Sequence, residues 1–150
     1  MKPEIGDWLQ NNYFSIAQPL LKSNTGIYPL ILASQQGCSE IVYFLIEQNA
    51  DLAVMDHYGN NALLAACYAE NSECITALID AGVNINHQSY ASGATALIFA
   101  ASSSREKVVE QLLAAGADQY LKTHDDFTAL DLASTRKILK LLSKSVKSGD

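Results

Sequence analysis

Slid along itself by 33 residues, the stretch from Glu40 to Asn86 falls on its own pattern. Ile41-Val42, Leu45-Ile46 and Asn49-Ala50-Asp51 land on Cys74-Ile75, Leu78-Ile79 and Gly82-Val83-Asn84. The register runs further. GIYPLILASQQG at Gly26, GNNALLAACYAE at Gly59, GATALIFAASSS at Gly93 and DFTALDLAST at Asp126 follow at steps of 33, 34 and 33. A fixed period of this size means stacked supersecondary units, each unable to bury its apolar side alone.

Each unit opens with a turn holding Gly26, Gly59 or Gly93 and passes into a short apolar helix such as PLILASQQ. Pro29 suits the first turn of that helix, where its missing N–H would be unpaired anyway. In the second helix Ile41/Leu45 and Val42/Ile46 are i, i+4 pairs, repeated as Cys74/Leu78 and Ile75/Ile79, then as Val108/Leu112 and Val109/Leu113. Such a grid makes one apolar stripe facing the neighbouring units. Asn49, Gly82 and Gly116 stop the second helix, being residue types that tolerate the left-handed conformation. The polar connections ADLAVMDHYG, VNINHQSYASG and ADQYLKTHDD are long enough to reach out and back as projecting hairpins.

GIYPLILA, GATALIFAA, EIVYFLIEQNAD and KVVEQLLAAGAD resemble the ankyrin repeat, whose pattern is G-x-T-P-L-H-x-A-A followed by I-V-x-x-L-L-x-x-G-A-D. The resemblance covers about Ser23 to Lys144. It implies an all-α ankyrin-repeat solenoid of helix-turn-helix units with projecting β-hairpin loops. We expect one domain over 1–150: a helical N-terminal cap (1–22), three full repeats (23–55, 56–89, 90–122), a shortened C-terminal capping repeat (123–144) and a tail (145–150). The cap reads as two short helices, Glu4–Gln10 and Ser15–Lys22, with Trp8, Leu9, Ile16, Leu20 and Leu21 covering the first stripe. At the other end RKILKLLSK assigns Ile138, Leu141 and Leu142 to the core. Two departures stand out. The family's His after the leucine is Ile31, Leu64, Ile98 or Asp131 here, and the Gly closing the first helix survives at Gly37 but is Glu70 and Ser104 later, with Asn71 expected to supply the second turn.

Composition narrows the function. From Ser23 to Ser104 there are seven acidic residues and no Lys or Arg, a surface that repels phosphate. The only cationic patch is terminal, with Arg136, Lys137, Lys140, Lys144 and Lys147 against one acid, and a basic helix end is favoured by its dipole. Nucleic-acid binding through that tail is therefore the lesser alternative. Cys38, Cys67 and Cys74 are an odd number without a CxxC pair, fitting reduced thiols and a cytoplasmic setting. No apolar run reaches the roughly 20 residues of a membrane span, and the first residues lack a leader pattern.

No phosphate-binding loop, HExxH or nucleophile turn occurs, so we expect no enzyme, cofactor or metal. His57, His87 and His124 each fall in a different hairpin and would be the ligands of a metal-dependent alternative. Hairpins roughly 10 Å apart, the spacing of packed helices, would leave three imidazoles unable to share one zinc at about 2 Å.

The resemblance places partners against hairpin tips and the inner side of the first helices. The positions there that the framework does not need are Ile27, Gln35, His57, Tyr58, Asn60, Tyr68, Tyr90, Ser92, Ser102, His124, Asp125 and Phe127. Tyr68 occupies the place of Gln35 and Ser102, with no core duty, and its ring is of an interface-enriched type. The resemblance implies a non-catalytic module, monomeric by itself, that binds one protein. The acidic middle suggests that this protein is cationic. Short ankyrin chains of this kind resemble free-standing bacterial ones, among which immunity proteins, enzyme regulators and chaperones are known uses.

Overall fold

The computed structural model describes the backbone of residues 1–148 and the side chains of residues 1–144. Eight α-helices follow one another among them: α1 (Pro3–Asn11), α2 (Pro29–Gln35), α3 (Ser39–Glu47), α4 (Ala62–Ala69), α5 (Ser72–Ala81), α6 (Ala96–Ser102), α7 (Glu106–Ala114) and α8 (Arg136–Ser148). They belong to two compact units. The first holds 1–57 and 61–84, the second 58–60 and 85–150.

In the first unit α2 packs on α3 and α4, α5 packs on α3 and α4, and α1 lies against α3. Leu30, Ile31, Val42, Leu45, Leu63, Ile75 and Leu78 are buried, as the i, i+4 grid requires. In the second unit α6 packs on α7 and α7 on α8, with Leu97, Ile98, Val109, Leu112, Ile138 and Leu142 buried. Ile31, Leu64 and Ile98, at the position where histidine was expected of the family, are simply core residues, 2, 8 and 3% exposed.

The first helix of each pair starts on a residue two beyond the turn. Asn61 Oδ1 accepts from Leu64 N–H at 3.1 Å and Thr95 Oγ1 from Ile98 N–H at 3.1 Å, satisfying donors that a helix start leaves unpaired. The pair before them uses Tyr28 without a side-chain cap and puts Pro29 just inside the helix. The second helices end where the sequence said: Asn49, Gly82 and Gly116 have φ of 63, 100 and 88°.

Some local expectations need correction. The second cap helix does not form. Gln18 N–H donates to Ser15 Oγ and Leu21 N–H to the Gln18 carbonyl, so 15–22 is a run of turns. Pro19 is the cause: it has no N–H to give, its ring clashes one turn back, and it pushes Gln18 out of the helical region. Ile16, Leu20 and Leu21 are consequently 40, 36 and 55% exposed, and Phe14 takes the buried place, stacked on Trp8 with ring centroids 5.6 Å apart.

The turn after α4 is made by Glu70 itself, at φ 56°, not by Asn71. Asn71 caps α5 through Oδ1 to Cys74 N–H (2.9 Å) and sends Nδ2 to the Gly37 carbonyl (3.0 Å). Ser104 likewise bends left-handed, φ 63°. Strand pairing in the projecting loops is brief: among the described residues the only β-bridge joins Met55 to Asn61. The tips are instead tight turns closed by backbone bonds, Ser23 N to Ile27 O (2.8 Å), Ser89 N to Ala94 O (2.9 Å) and Thr123 N to Phe127 O (2.9 Å).

The last repeat has one helix. Residues 128–133 form turns in which Thr128 N–H donates to Asp131 Oδ2 (2.9 Å) and Asp131 N–H to Thr128 Oγ1 (3.2 Å). α8 then buries Ile138 and Leu142 completely, while Leu141 is only half-buried. It runs on through Ser148 into the stretch read as a tail, and the side chain of Lys147 with residues 149–150 lies outside the described residues.

Candidate protein-binding surface

The finger tips of the second unit are the best-organised exposed feature. Tyr58 carbonyl accepts from Ser89 Oγ–H (3.0 Å) and Ala91 N–H (3.0 Å). His87 Nε2 lies 2.7 Å from the Gly59 carbonyl. One finger further on, His124 Nε2 lies 2.9 Å from the Tyr90 carbonyl, His124 N–H donates to Ser92 O (2.9 Å), and Gln88 Nε2 reaches both Gly93 O (3.0 Å) and Lys122 O (2.8 Å). A carbonyl can only accept, so Nε2 carries the proton in both histidines.

The turn glycines give these contacts their room. A β-carbon on Gly59 would come within 2.5 Å of the Tyr90 ring, and one on Gly93 within 2.8 Å of the His124 backbone nitrogen. In the first unit His57 lies against Gly26 in the same manner, its ring carbon 3.5 Å from where a β-carbon would stand. His87 and His124 thus share a task, bracing one finger on the backbone of the finger before it. Among the described residues no group of three or more His, Cys, Asp or Glu is placed to hold a metal ion.

On this braced backbone Tyr58, Tyr90 and Phe127 are 67, 69 and 46% exposed. Ser92, His124 and Asp125 are also exposed, as is Ser102 at the end of α6, while Asn60 is half-buried. The remaining positions belong to the first unit. Ile27 and Gln35 are exposed around α2, His57 is exposed in its finger, and Tyr68 on α4 is 64% exposed. Sequence reasoning missed His87, Gln88 and Ser89 as the residues that tie the second unit's tips together. No pattern announces them, because their partners lie 28–34 residues away.

Charge divides between the units. The first contains nine of the chain's carboxylates against Lys2 and Lys22, a formal charge of −7, and the second seven against eight Lys and Arg, +1, so the net −6 comes from the first. The cysteines are a small part of the surface. Cys67 and Cys74 are buried, Cys38 is half-buried, and no disulfide joins them. Burial pushes the Cys74 thiol up to about 11, with lesser contributions from Cys38 and Glu73. No helix among the described residues is long and apolar enough to cross a membrane.

Paired helices at a 33-residue period, braced finger tips and exposed aromatics define a repeat protein with an exposed aromatic surface. The family described as "Ankyrin repeats (3 copies)" matches residues 7–89 and "Ankyrin repeat" matches residues 92–124. The chain belongs to the ankyrin-repeat family, whose repeats are protein–protein interaction modules. It is 31% identical over 123 residues to the B-cell lymphoma 3 protein homolog of Mus musculus, covering 81% of this chain and 27% of that one. It is 37% identical over 86 residues to a probable E3 ubiquitin-protein ligase of Oryza sativa subsp. japonica, covering 57% and 16%. With the 2-5A-dependent ribonuclease of Homo sapiens it shares 35% identity over 82 residues, covering 55% and 11%. The chain thus spans about a quarter or less of the length of these curated relatives.

Proposed function

We propose that the chain is a non-catalytic binding module, an adaptor, inhibitor, immunity or assembly factor, that holds one cationic protein partner in the cytoplasm and is monomeric without it. The observation behind this reading is the braced tip framework. Histidine and glutamine bonds hold the backbone under Tyr58, Tyr90 and Phe127, so the loops that carry these rings have little backbone entropy left to lose on binding. The partner's sign comes from the first unit, where nine carboxylates face two lysines.

Neither nucleic acid nor a membrane surface suits an anionic unit of this kind. The lysines and arginines of α8 occur together with acids of the same unit, and Lys137 Nζ pairs with Glu110 at 3.0 Å. That pairing raises the Lys137 pKa, first through the Glu110 hydrogen bond and then through its charge. The test uses the full chain as bait for its native partner. Tyr58→Ala with Tyr68→Ala is expected to reduce recovery of a stoichiometric partner about tenfold while leaving the melting curve in place. Unchanged recovery would refute the tips and first helices as the binding surface.

A further inference from the structure

The first unit has a second surface feature, away from the tips. Between α1 and α3 lies an open groove of about 690 Å³, within the size range of ligand sites. Its floor is apolar, formed by Ile5, Phe44 and the ring of Tyr43, which is 43% exposed. Its rim is acidic: Glu40 in the first turn of α3, Glu47 at the last residue of α3 and Glu73 in the first turn of α5.

Helix stability accounts for Glu40 and Glu73, since a carboxylate in the first turn meets the positive end of the dipole. It does not account for Glu47. That carboxylate sits at the negative end, where a lysine or arginine would be the stabilising choice. The groove also displays the chemistry it attracts. Lys2, one of two cations in the unit, lies with Nζ 3.9 Å from Glu40 Oε1 at the groove's end.

We infer that this groove docks an extended segment of the protein partner bearing two arginines three residues apart, with an apolar residue between them. Glu40 and Glu47 are seven residues apart on one helix, about 10 Å along its axis at 1.5 Å per residue. A polyproline-II segment advances about 9 Å in three residues and returns to the same face, so its arginines match that separation. Each guanidinium forks onto a carboxylate, as arginine does better than lysine. The apolar residue between them covers the Tyr43 ring and Ile5. The inference rests on the protein-binding reading above and adds to it a site and a sequence preference.

The test measures fluorescence anisotropy on the full chain at low salt with a labelled peptide, Gly-Arg-Leu-Pro-Arg-Leu-Gly. The peptide is expected to bind, and versions with glutamate for arginine or with the arginines adjacent are expected to bind at least fivefold more weakly. Glu40→Gln with Glu47→Gln is expected to raise Kd about fivefold, the product of two exposed pairs. Asp7→Asn with Asp80→Asn, which removes as much charge elsewhere in the unit, is expected to leave Kd within about twofold. No binding, or equal weakening by both pairs of substitutions, would overturn the groove. The tip variant Tyr58→Ala with Tyr68→Ala should bind this peptide normally, so a failed groove and failed tips give different results.

Discussion

Asn71 holds two parts of the first unit together, and removing its side chain should cost more than an ordinary surface change. Its Oδ1 caps α5 at Cys74 N–H and its Nδ2 supplies a hydrogen bond to the Gly37 carbonyl, at the turn that follows α2. The equivalent positions before α3 and α7, Cys38 and Arg105, provide no side-chain cap. Losing an N-cap costs about 1 kcal/mol. Losing the Asn71 bond to the half-buried Gly37 carbonyl, which keeps Ser39 N–H at 3.1 Å as its other donor, costs about 1 kcal/mol more. For Asn71→Ala the sum is about 2 kcal/mol, or a fall in Tm of about 4–8 °C for a chain of this size.

Asn71→Asp separates the two roles. The carboxylate still accepts from Cys74 N–H at a helix start but has nothing to donate to Gly37, so about half the loss should remain. Far-UV circular dichroism during thermal unfolding, with urea denaturation alongside, measures both variants. A melting curve for Asn71→Ala within about 1 °C of wild type would refute the bridge. Equal losses in Asn71→Ala and Asn71→Asp would refute the capping half of it.

Three further outcomes follow from particular contacts. Gly93→Ala places a β-carbon 2.8 Å from a backbone nitrogen at φ 76° and should cost about 2–4 kcal/mol, whereas Gly82→Ala meets nothing within 4 Å at φ 100° and should cost only about 1 kcal/mol; differential scanning calorimetry compares them. At pH 8 a thiol-disulfide reagent should titrate one cysteine, Cys38, in the native chain and three in denaturant, because Cys67 and Cys74 are buried and the Cys74 thiol is pushed up to about 11. The hydrogen bond from Thr128 N–H, then that involving the Thr128 side chain, lowers the Asp131 pKa below its ordinary 3.8. A depressed acid contributes stability above its unfolded pKa and loses it as pH falls through the lower folded value. Asp131→Asn should therefore melt below wild type at neutral pH, with the gap closing in acid below about 3.8.

The paired helices were legible because two independent signals agreed, the 3.6-residue stripe and the 33-residue repeat of its stops. Asn49, Gly82 and Gly116 announce their own backbone conformation. Glu70 and Ser104 do not, since nothing in either residue type favours φ near 60°; the turn is imposed by the helices on each side of it. In the cap, apolar spacing at Ile16 and Leu20 suggested a helix and Pro19 overruled it, leaving Phe14 to fill the space. Exposure of the tip residues was foreseeable by elimination, as positions the core does not use. The bracing beneath them was not. It joins His87 to Gly59 and His124 to Tyr90, residues brought together only when one finger lies beside the next.

The central claim is that this chain grips a positively charged protein through a preset surface. Its most direct test is the affinity of the purified complex as ionic strength rises from about 0.05 to 0.5 M, by isothermal titration calorimetry. The account predicts a basic partner bound in one-to-one stoichiometry, weakening at least tenfold over that range, with the chain's own melting temperature little changed. An acidic partner, or an affinity indifferent to salt, would contradict it.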